Sequence, residues 1–256
     1  YRRPFPIRLE NPHVIAASQV WVGVASKGPS GHPLSSAYQH RNNDQYRLEL
    51  GNAIVNFARI VPKGLLVFFP SYSVMDQCLT AWKRSGTSMS VWERILRHKM
   101  PVIEPRESAQ LNSAMEDFYQ KVNDPSYTGA VFFAVCRGKV SEGLDFSDNN
   151  GRAVIITGMP FPSMVDPKVK LKKQYLDDAV RESRVAAAAS SSTSSDHGTA
   201  ASSGGMVALK GNDWYSQQAS RVVNQAIGRV IRHRFDYGAI ILCDERCVSP
   251  RRGWHW

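Results

Sequence analysis

The chain has 256 residues, 43% of them hydrophobic, which is enough for one large domain or two small ones and too apolar for global disorder. Thirty-two Lys and Arg against 22 Asp and Glu give a formal net charge of +10, which favours a polyanionic partner: nucleic acid, nucleotide or an acidic membrane surface. There is no signal-peptide pattern and no apolar run of transmembrane length. The scattered cysteines Cys78, Cys136, Cys243 and Cys247 point to reduced thiols in an intracellular setting rather than a metal motif.

Residues 1–35 form a leading segment rich in proline and glycine, with one strand candidate at Gln19-Val20-Trp21-Val22-Gly23-Val24. A helical pattern over 36–59 runs to the stop Pro62-Lys63-Gly64, and Leu65-Leu66-Val67-Phe68-Phe69 follows as an apolar run of strand length. A run apolar on both faces predicts a strand covered by helices on both sides. Pro70-Ser71-Tyr72-Ser73 then offers a helix N-cap, and the helix continues through Met75, Leu79 and Trp82. The unit recurs: a strand near Val102-Ile103, a helix over 108–122, and apolar strands at 130–135, 153–156 and 239–242. Alternation of this kind predicts an α/β fold, a doubly wound and mostly parallel sheet. Ligands of such sheets bind beyond the carboxyl ends of the strands, so the turns after Phe69, Val135 and Ile156 are of interest, with the helix before Ala239.

A charged helix over 166–181 reads as a solvated face. Residues 184–205, with their Ala and Ser runs, lack bulky apolar groups and are expected to be a disordered insertion in one domain spanning 36–246. Residues 247–256 form an atypical tail. The chain opens on Tyr1 and is expected to be a piece of a longer protein.

Read as a helix, 225–234 has two faces. Val223, Ile227 and Val230 make an apolar stripe, while Gln225, Arg229 and Arg232 fall in line on the other side, continuing Gln218 and Arg221. Guanidiniums in register suit phosphate oxygens; a solvated basic face fits the same spacing. Gly228, which costs roughly 1 kcal/mol in a helix interior, suggests close approach of something to the backbone. After Val135, the loop Arg137-Gly138-Lys139-Val140-Ser141-Glu142-Gly143-Leu144-Asp145 brackets cations, a hydroxyl and carboxylates with glycines, suiting phosphate and ribose contacts or an ordinary connection. Ser71 and Tyr72 could receive a phosphate and a base, or simply cap and pack. Gly158-Met159-Pro160-Phe161-Pro162 is a stiff loop that could line a groove. No Walker A loop occurs, no general acid–base or nucleophilic set stands out, and Asp244-Glu245 reads as a strand-end turn.

Phe68-Phe69-Pro70-Ser71-Tyr72, the 137–146 loop and Gln225-Ala226-Ile227-Gly228-Arg229-Val230-Ile231-Arg232 occur in the order of motifs four, five and six of superfamily-two helicases. Together with Ile231-Arg232-His233-Arg234-Phe235-Asp236-Tyr237-Gly238, the chain resembles the iron–sulfur DNA helicases of the xeroderma-pigmentosum-group-D-like family over about 4–246, outside the serine-rich insertion. The resemblance implies the second RecA-like motor domain of a nuclear, ATP-dependent 5′-to-3′ DNA helicase of repair, recombination and telomere maintenance. ATP and Mg²⁺ would be shared with a first motor domain, which would also carry the phosphate loop and the 4Fe–4S cluster. Arg229 and Arg232 would be arginine fingers with Gln225 beside them; Glu142, Gly143, Asp145 and Gly228 would line the nucleotide side. Ser71, Tyr72, Arg137, Lys139 and Ser141 would meet single-stranded DNA, alone or at junctions, and no metal or membrane site is implied on this chain. A truncated, non-catalytic nucleic-acid- or protein-binding module is the alternative. A dinucleotide or nucleotide-sugar enzyme is disfavoured because no G-x-G-x-x-G follows the first strand.

Overall fold

The apolar runs pair as a single parallel sheet. The computed structural model describes residues 7, 9, 15–84, 89–138, 140, 146–191 and 209–248, with 186–191 by backbone alone. The strands are β1 (Val20–Val24), β2 (Leu65–Phe69), β3 (Met100–Ile103), β4 (Ala130–Val135), β5 (Ala153–Ile156) and β6 (Gly238–Leu242). Their order is β1-β6-β5-β2-β4-β3, all neighbours being parallel. The helices are α1 (Asp44–Ile60), α2 (Tyr72–Lys83), α3 (Val91–Leu96), α4 (Leu111–Asn123), α5 (Pro167–Ser191) and α6 (Gly211–Ile227).

Every residue of β2, β4 and β5 is buried, and side-chain alternation divides them between two cores. Leu65, Val67, Phe69, Val131, Phe133 and Ile155 pack under α1, α2 and α3. Leu66, Phe68, Phe132, Val154 and Ile156 pack under α4 and α6. Helices thus cover both faces, as the doubly wound expectation requires.

Local chemistry sets the helix ends. α1 starts at Asp44, later than the pattern from Ser36 suggested, because Asn43 caps it by accepting from Gln45 N at 2.8 Å. The preceding stretch is held in a loop by Ser36 Oγ, which donates to the buried Asp244 carboxylate at 2.9 Å. Helix α3, absent from the sequence reading, begins with a capping box of Ser90 and Glu93. The charged helix α5 runs on through 184–191, eight residues into the expected insertion; alanine is the strongest helix former, and four stand there in succession. The rest of that segment and the tail beyond Val248 lie outside the described residues.

At the amino ends of the strands, the Lys99 side chain is buried and donates to Lys63 O at 2.6 Å and Thr128 O at 3.0 Å. Burial, reinforced by the charge of Lys63, pulls its pKa down to about 8. Between pH 8 and the ordinary lysine value, the unfolded chain holds a proton that the folded chain has released, so stability from this group rises with pH. Urea unfolding of the wild type and Lys99→Met from pH 7 to 10 should show the wild type gaining on the variant by on the order of 1–3 kcal/mol. A pH-independent difference would contradict the shift.

Candidate functional sites at the two ends of the sheet

In a parallel sheet, a turn after a strand and a turn before one lie at opposite ends. The turns after β2, β4 and β5 gather at the carboxyl end, whereas the segment carrying Arg229 and Arg232 leads into β6 and lies at the amino end. The two groups of sequence candidates are therefore not one cluster.

At the carboxyl end, Ser71 caps α2, its hydroxyl accepting from Val74 N at 3.4 Å. Tyr72 is half-buried beneath Arg106, whose guanidinium carbon lies 5.3 Å from the ring centre. Burial first, and then the hydrogen-bonded Glu104 carboxylate, push the phenol up to about 12. Glu104 is a site residue that the sequence reading missed. Buried at the end of β3, its carboxylate accepts from Val135 N at 2.7 Å and Val140 N at 3.2 Å, fixing both sides of the turn after β4. A Cβ on Gly138 would lie 2.4 Å from one of its oxygens, so the glycine is there to admit the carboxylate. The exposed Arg137 donates through Nε and Nη2 to Pro160 O at 3.3 and 3.0 Å, joining the turns after β4 and β5.

The stiff loop after β5 does line a groove. A cavity of about 720 Å³ is bounded by Tyr38, Arg41, Ser71, Phe161, Tyr215 and Arg246, among others. Phe161 and Tyr215 stack with ring centres 5.1 Å apart and planes within 15°. Tyr215 Oη donates to Pro162 O at 2.8 Å. Arg246 lies 5.9 Å from the Phe161 ring and Lys173 4.9 Å from the Tyr215 ring. Arg246 is itself held by the buried Asp244, through Nε at 2.8 Å and Nη2 at 2.6 Å. An aromatic pair between cations on a basic chain is suited to bases and phosphates of a single strand.

The arginine segment corrects the sequence reading. α6 ends at Ile227, and Gly228 is its C-cap with φ −64° and ψ 5°. Arg229 N bonds to Ala226 O at 3.3 Å and Val230 N to Ile227 O at 3.2 Å, a tightened final turn. Arg229 and Arg232 therefore do not continue a helical line from Gln225. Val230 is still buried, packed against Gly238, whose Cβ position would be 2.2 Å from a Val230 methyl. A Cβ on Gly228 would approach only Asn224 O and Gln225 O, at 3.3 and 3.7 Å. No neighbouring element of the described chain approaches that backbone.

Past the cap, Arg232, His233, Arg234 and Phe235 are exposed around a buried anchor, Asp236. One Asp236 oxygen accepts from Arg232 N at 3.2 Å; the other accepts from Arg152 Nη1 at 2.8 Å and Tyr237 N at 3.0 Å. His233 Nε2 is 3.1 Å from Asp148 Oδ1. Among the described residues, Asp148, His233 and Asp236 bring ligand atoms within 4.8 Å of one another. Asp236 is committed to the Arg152 guanidinium, which repels cations, so the trio does not fit Mg²⁺.

Lys139, Ser141, Glu142, Gly143 and Asp145 lie outside the described residues. Their flanks are anchored: Val140 and Phe146 are buried in the core under α4 and α6. Among the described residues, Gly138 lies at the carboxyl end and Asp148 at the amino end, next to His233. Among the described residues, no helix is long and apolar enough to cross a membrane.

Comparisons with known proteins bear on the family and the fold. A family model described as the helicase C-terminal domain matches residues 54–255. The regulator of telomere elongation helicase 1 homolog of Oryza sativa subsp. japonica is 58% identical over 249 residues, covering 95% of this chain and 23% of that protein. Its Arabidopsis thaliana counterpart is 55% identical, covering 96% and 22%. The Rattus norvegicus regulator of telomere elongation helicase 1 is 51% identical, covering 95% and 17%. The chain spans about a fifth of the length of these curated relatives. A solved structure described as an XPD helicase superposes with a TM-score of 0.52 at 20% identity, covering 90% of this chain and 32% of that one. At that identity the likeness speaks to the fold.

Proposed function

Because the chain belongs to the helicase C-terminal domain family, in its xeroderma-pigmentosum-group-D-like branch, we propose that it is the second motor domain of an ATP-dependent DNA helicase of the nucleus. In this reading it acts in repair, recombination and telomere maintenance, moving 5′ to 3′. ATP sits against the amino-end turn, where Arg229 and Arg232 meet the γ-phosphate, with Gln225 and Gly228 alongside. A first motor domain supplies the phosphate loop and the ligands for Mg²⁺, and the parent protein carries the 4Fe–4S cluster. The observation that carries this assignment is the exposed Arg232 on a turn whose backbone is tied to a buried carboxylate. Phosphoryl transfer needs positioned charge more than covalent chemistry, and a guanidinium on a fixed backbone supplies it.

Single-stranded DNA, alone or at a junction, would cross the carboxyl-end groove by Ser71, Tyr72, Arg137 and the Phe161–Tyr215 stack, with Lys139 and Ser141 following Arg137 in sequence. The 139–145 segment, with Glu142, Gly143 and Asp145, would link DNA at one end of the sheet to nucleotide at the other. Fluorescence anisotropy with a labelled oligonucleotide tests the DNA arm. The 256-residue chain should bind weakly at low salt and lose affinity as salt rises. Phe161→Ala should weaken binding about 5- to 100-fold, the worth of about one stacked base. Salt-insensitive binding, or none at low salt, would remove the groove from this assignment.

A further inference from the structure

We propose that Gln19 is a positioning residue for Arg232, clamping the arginine turn to the segment that leads into the sheet. The proposal rests on the reading of Arg232 as a phosphate-binding finger. Gln19 sits just before edge strand β1, and its amide is fully used. Oε1 accepts from Ala16 N at 2.7 Å, while Nε2 donates to Arg234 O at 2.9 Å and to Asp236 O at 2.8 Å. Both donors of one side chain thus go to two carbonyls of the same turn, more than 200 residues away in sequence.

The turn's own side chains hold it in part: His233 meets Asp148 at 3.1 Å and accepts from Phe235 N at 3.3 Å. Ile231 packs partly against the core, but the four successive residues 232–235 are exposed, so little apolar burial fixes the backbone between Ile231 and Asp236. Hydrogen bonds supply the rest: Asp236 N to His233 O within the turn at 3.0 Å, the Asp236 carboxylate from the inside on Arg232 N, and Gln19 from the outside on the carbonyls of Arg234 and Asp236. A misplacement of about 1 Å at a catalytic group costs on the order of 100-fold in rate. Releasing the outer clamp leaves Arg232 present and charged but poorly placed in the transition state, an effect on kcat rather than on ATP binding.

The experiment measures DNA-stimulated ATP turnover in the full-length protein for the wild type, Gln19→Ala, Gln19→Met, Arg232→Ala and Gln19→Ala/Arg232→Ala. Gln19→Ala should lower kcat about 10- to 100-fold with the KM for ATP within about twofold. Gln19→Met keeps the side-chain length, removes both donors and should behave alike. In the Arg232→Ala background Gln19→Ala should have no further effect, because it acts through that guanidinium; a merely structural loss would multiply instead. In the 256-residue chain, hydrogen exchange at the Arg232 amide should accelerate in Gln19→Met while exchange in β4 stays unchanged. If Arg232→Ala lowers turnover but Gln19→Ala and Gln19→Met stay within twofold of the wild type, or the double variant is multiplicative, the positioning role is overturned alone. If Arg232→Ala itself leaves turnover intact, the finger reading falls, and this proposal with it.

Discussion

Arg232→Ala in the full-length protein should reduce ATP turnover by about 10³- to 10⁵-fold while leaving the fold and the KM for ATP nearly unchanged. The side chain is exposed, so its truncation empties no core. Its backbone amide, which accounts for the bond to Asp236, is retained in alanine. The loss would therefore report on charge delivered to a phosphoryl group in transit, since a positioned guanidinium stabilises the transition state more than the bound substrate. Lysine at 232 should recover only a small part of the rate, because an ammonium lacks the planar donor fork. Steady-state turnover with saturating DNA, alongside thermal unfolding of each variant, checks both halves of the expectation. A loss of less than about tenfold would take Arg232 out of the catalytic set.

The second large effect is on stability. Asp236→Ala should destabilise the 256-residue chain by about 3–5 kcal/mol. The Arg152 and Asp236 side chains are 7% and 0% exposed, and their ion pair is 2.8 Å long. Removing the carboxylate strands a buried guanidinium and three donors: Arg152 Nη1, Arg232 N and Tyr237 N. The guanidinium keeps a bond to Tyr237 O at 3.0 Å and stays 4.0 Å from the Tyr237 ring, which limits the loss without cancelling it. Replacing both members, as in Arg152→Met/Asp236→Leu, should recover much of the deficit, since a buried pair is commonly worth little against an apolar substitute. The stranded amides of Arg232 and Tyr237 should keep the recovery incomplete. Urea unfolding measures this directly; an Asp236→Ala chain within 1 kcal/mol of the wild type would show that the pair is not holding the turn.

The sheet was legible in the sequence because its central strands are buried on both faces. Leu65–Phe69 and Ala130–Val135 cannot be solvated anywhere along their length, so composition alone marks them. The end of α6 was not legible from periodicity. Val230 remains buried after the helix has stopped, and a buried residue in a turn can keep a helical spacing by coincidence. The signal was Gly228, which is the C-cap of the helix. The capping box of α3 was visible as Ser90-x-x-Glu93, yet a six-residue helix has too little pattern of its own to attract notice.

The sites were legible as motifs and illegible as geometry. Ser71, Arg137 and Arg232 stood out by residue type, but the bonds that position them connect distant parts of the chain. Glu104 supports the turn after β4 from 31 and 36 residues away, and Gln19 reaches the arginine turn from the far end of the sequence. A Glu beside a proline reads as a solvated turn residue until its buried backbone partners are known. Phe161 and Tyr215 likewise become a pair only once α6 packs beside the loop after β5. The separation of the two sites went unread, since the segment before Ala239 was grouped with the carboxyl-end turns although a segment before a parallel strand lies at its amino end.

ATP turnover by the 256-residue chain on its own, with saturating single-stranded DNA, compared with the full-length protein, tests the central claim most directly. If the chain is half of a shared nucleotide cleft, it should give no turnover above background, whereas the full-length protein should hydrolyse ATP in a DNA-stimulated manner. Turnover by the isolated chain that disappears on Arg232→Ala would contradict the account, because it would place a complete active site within these 256 residues.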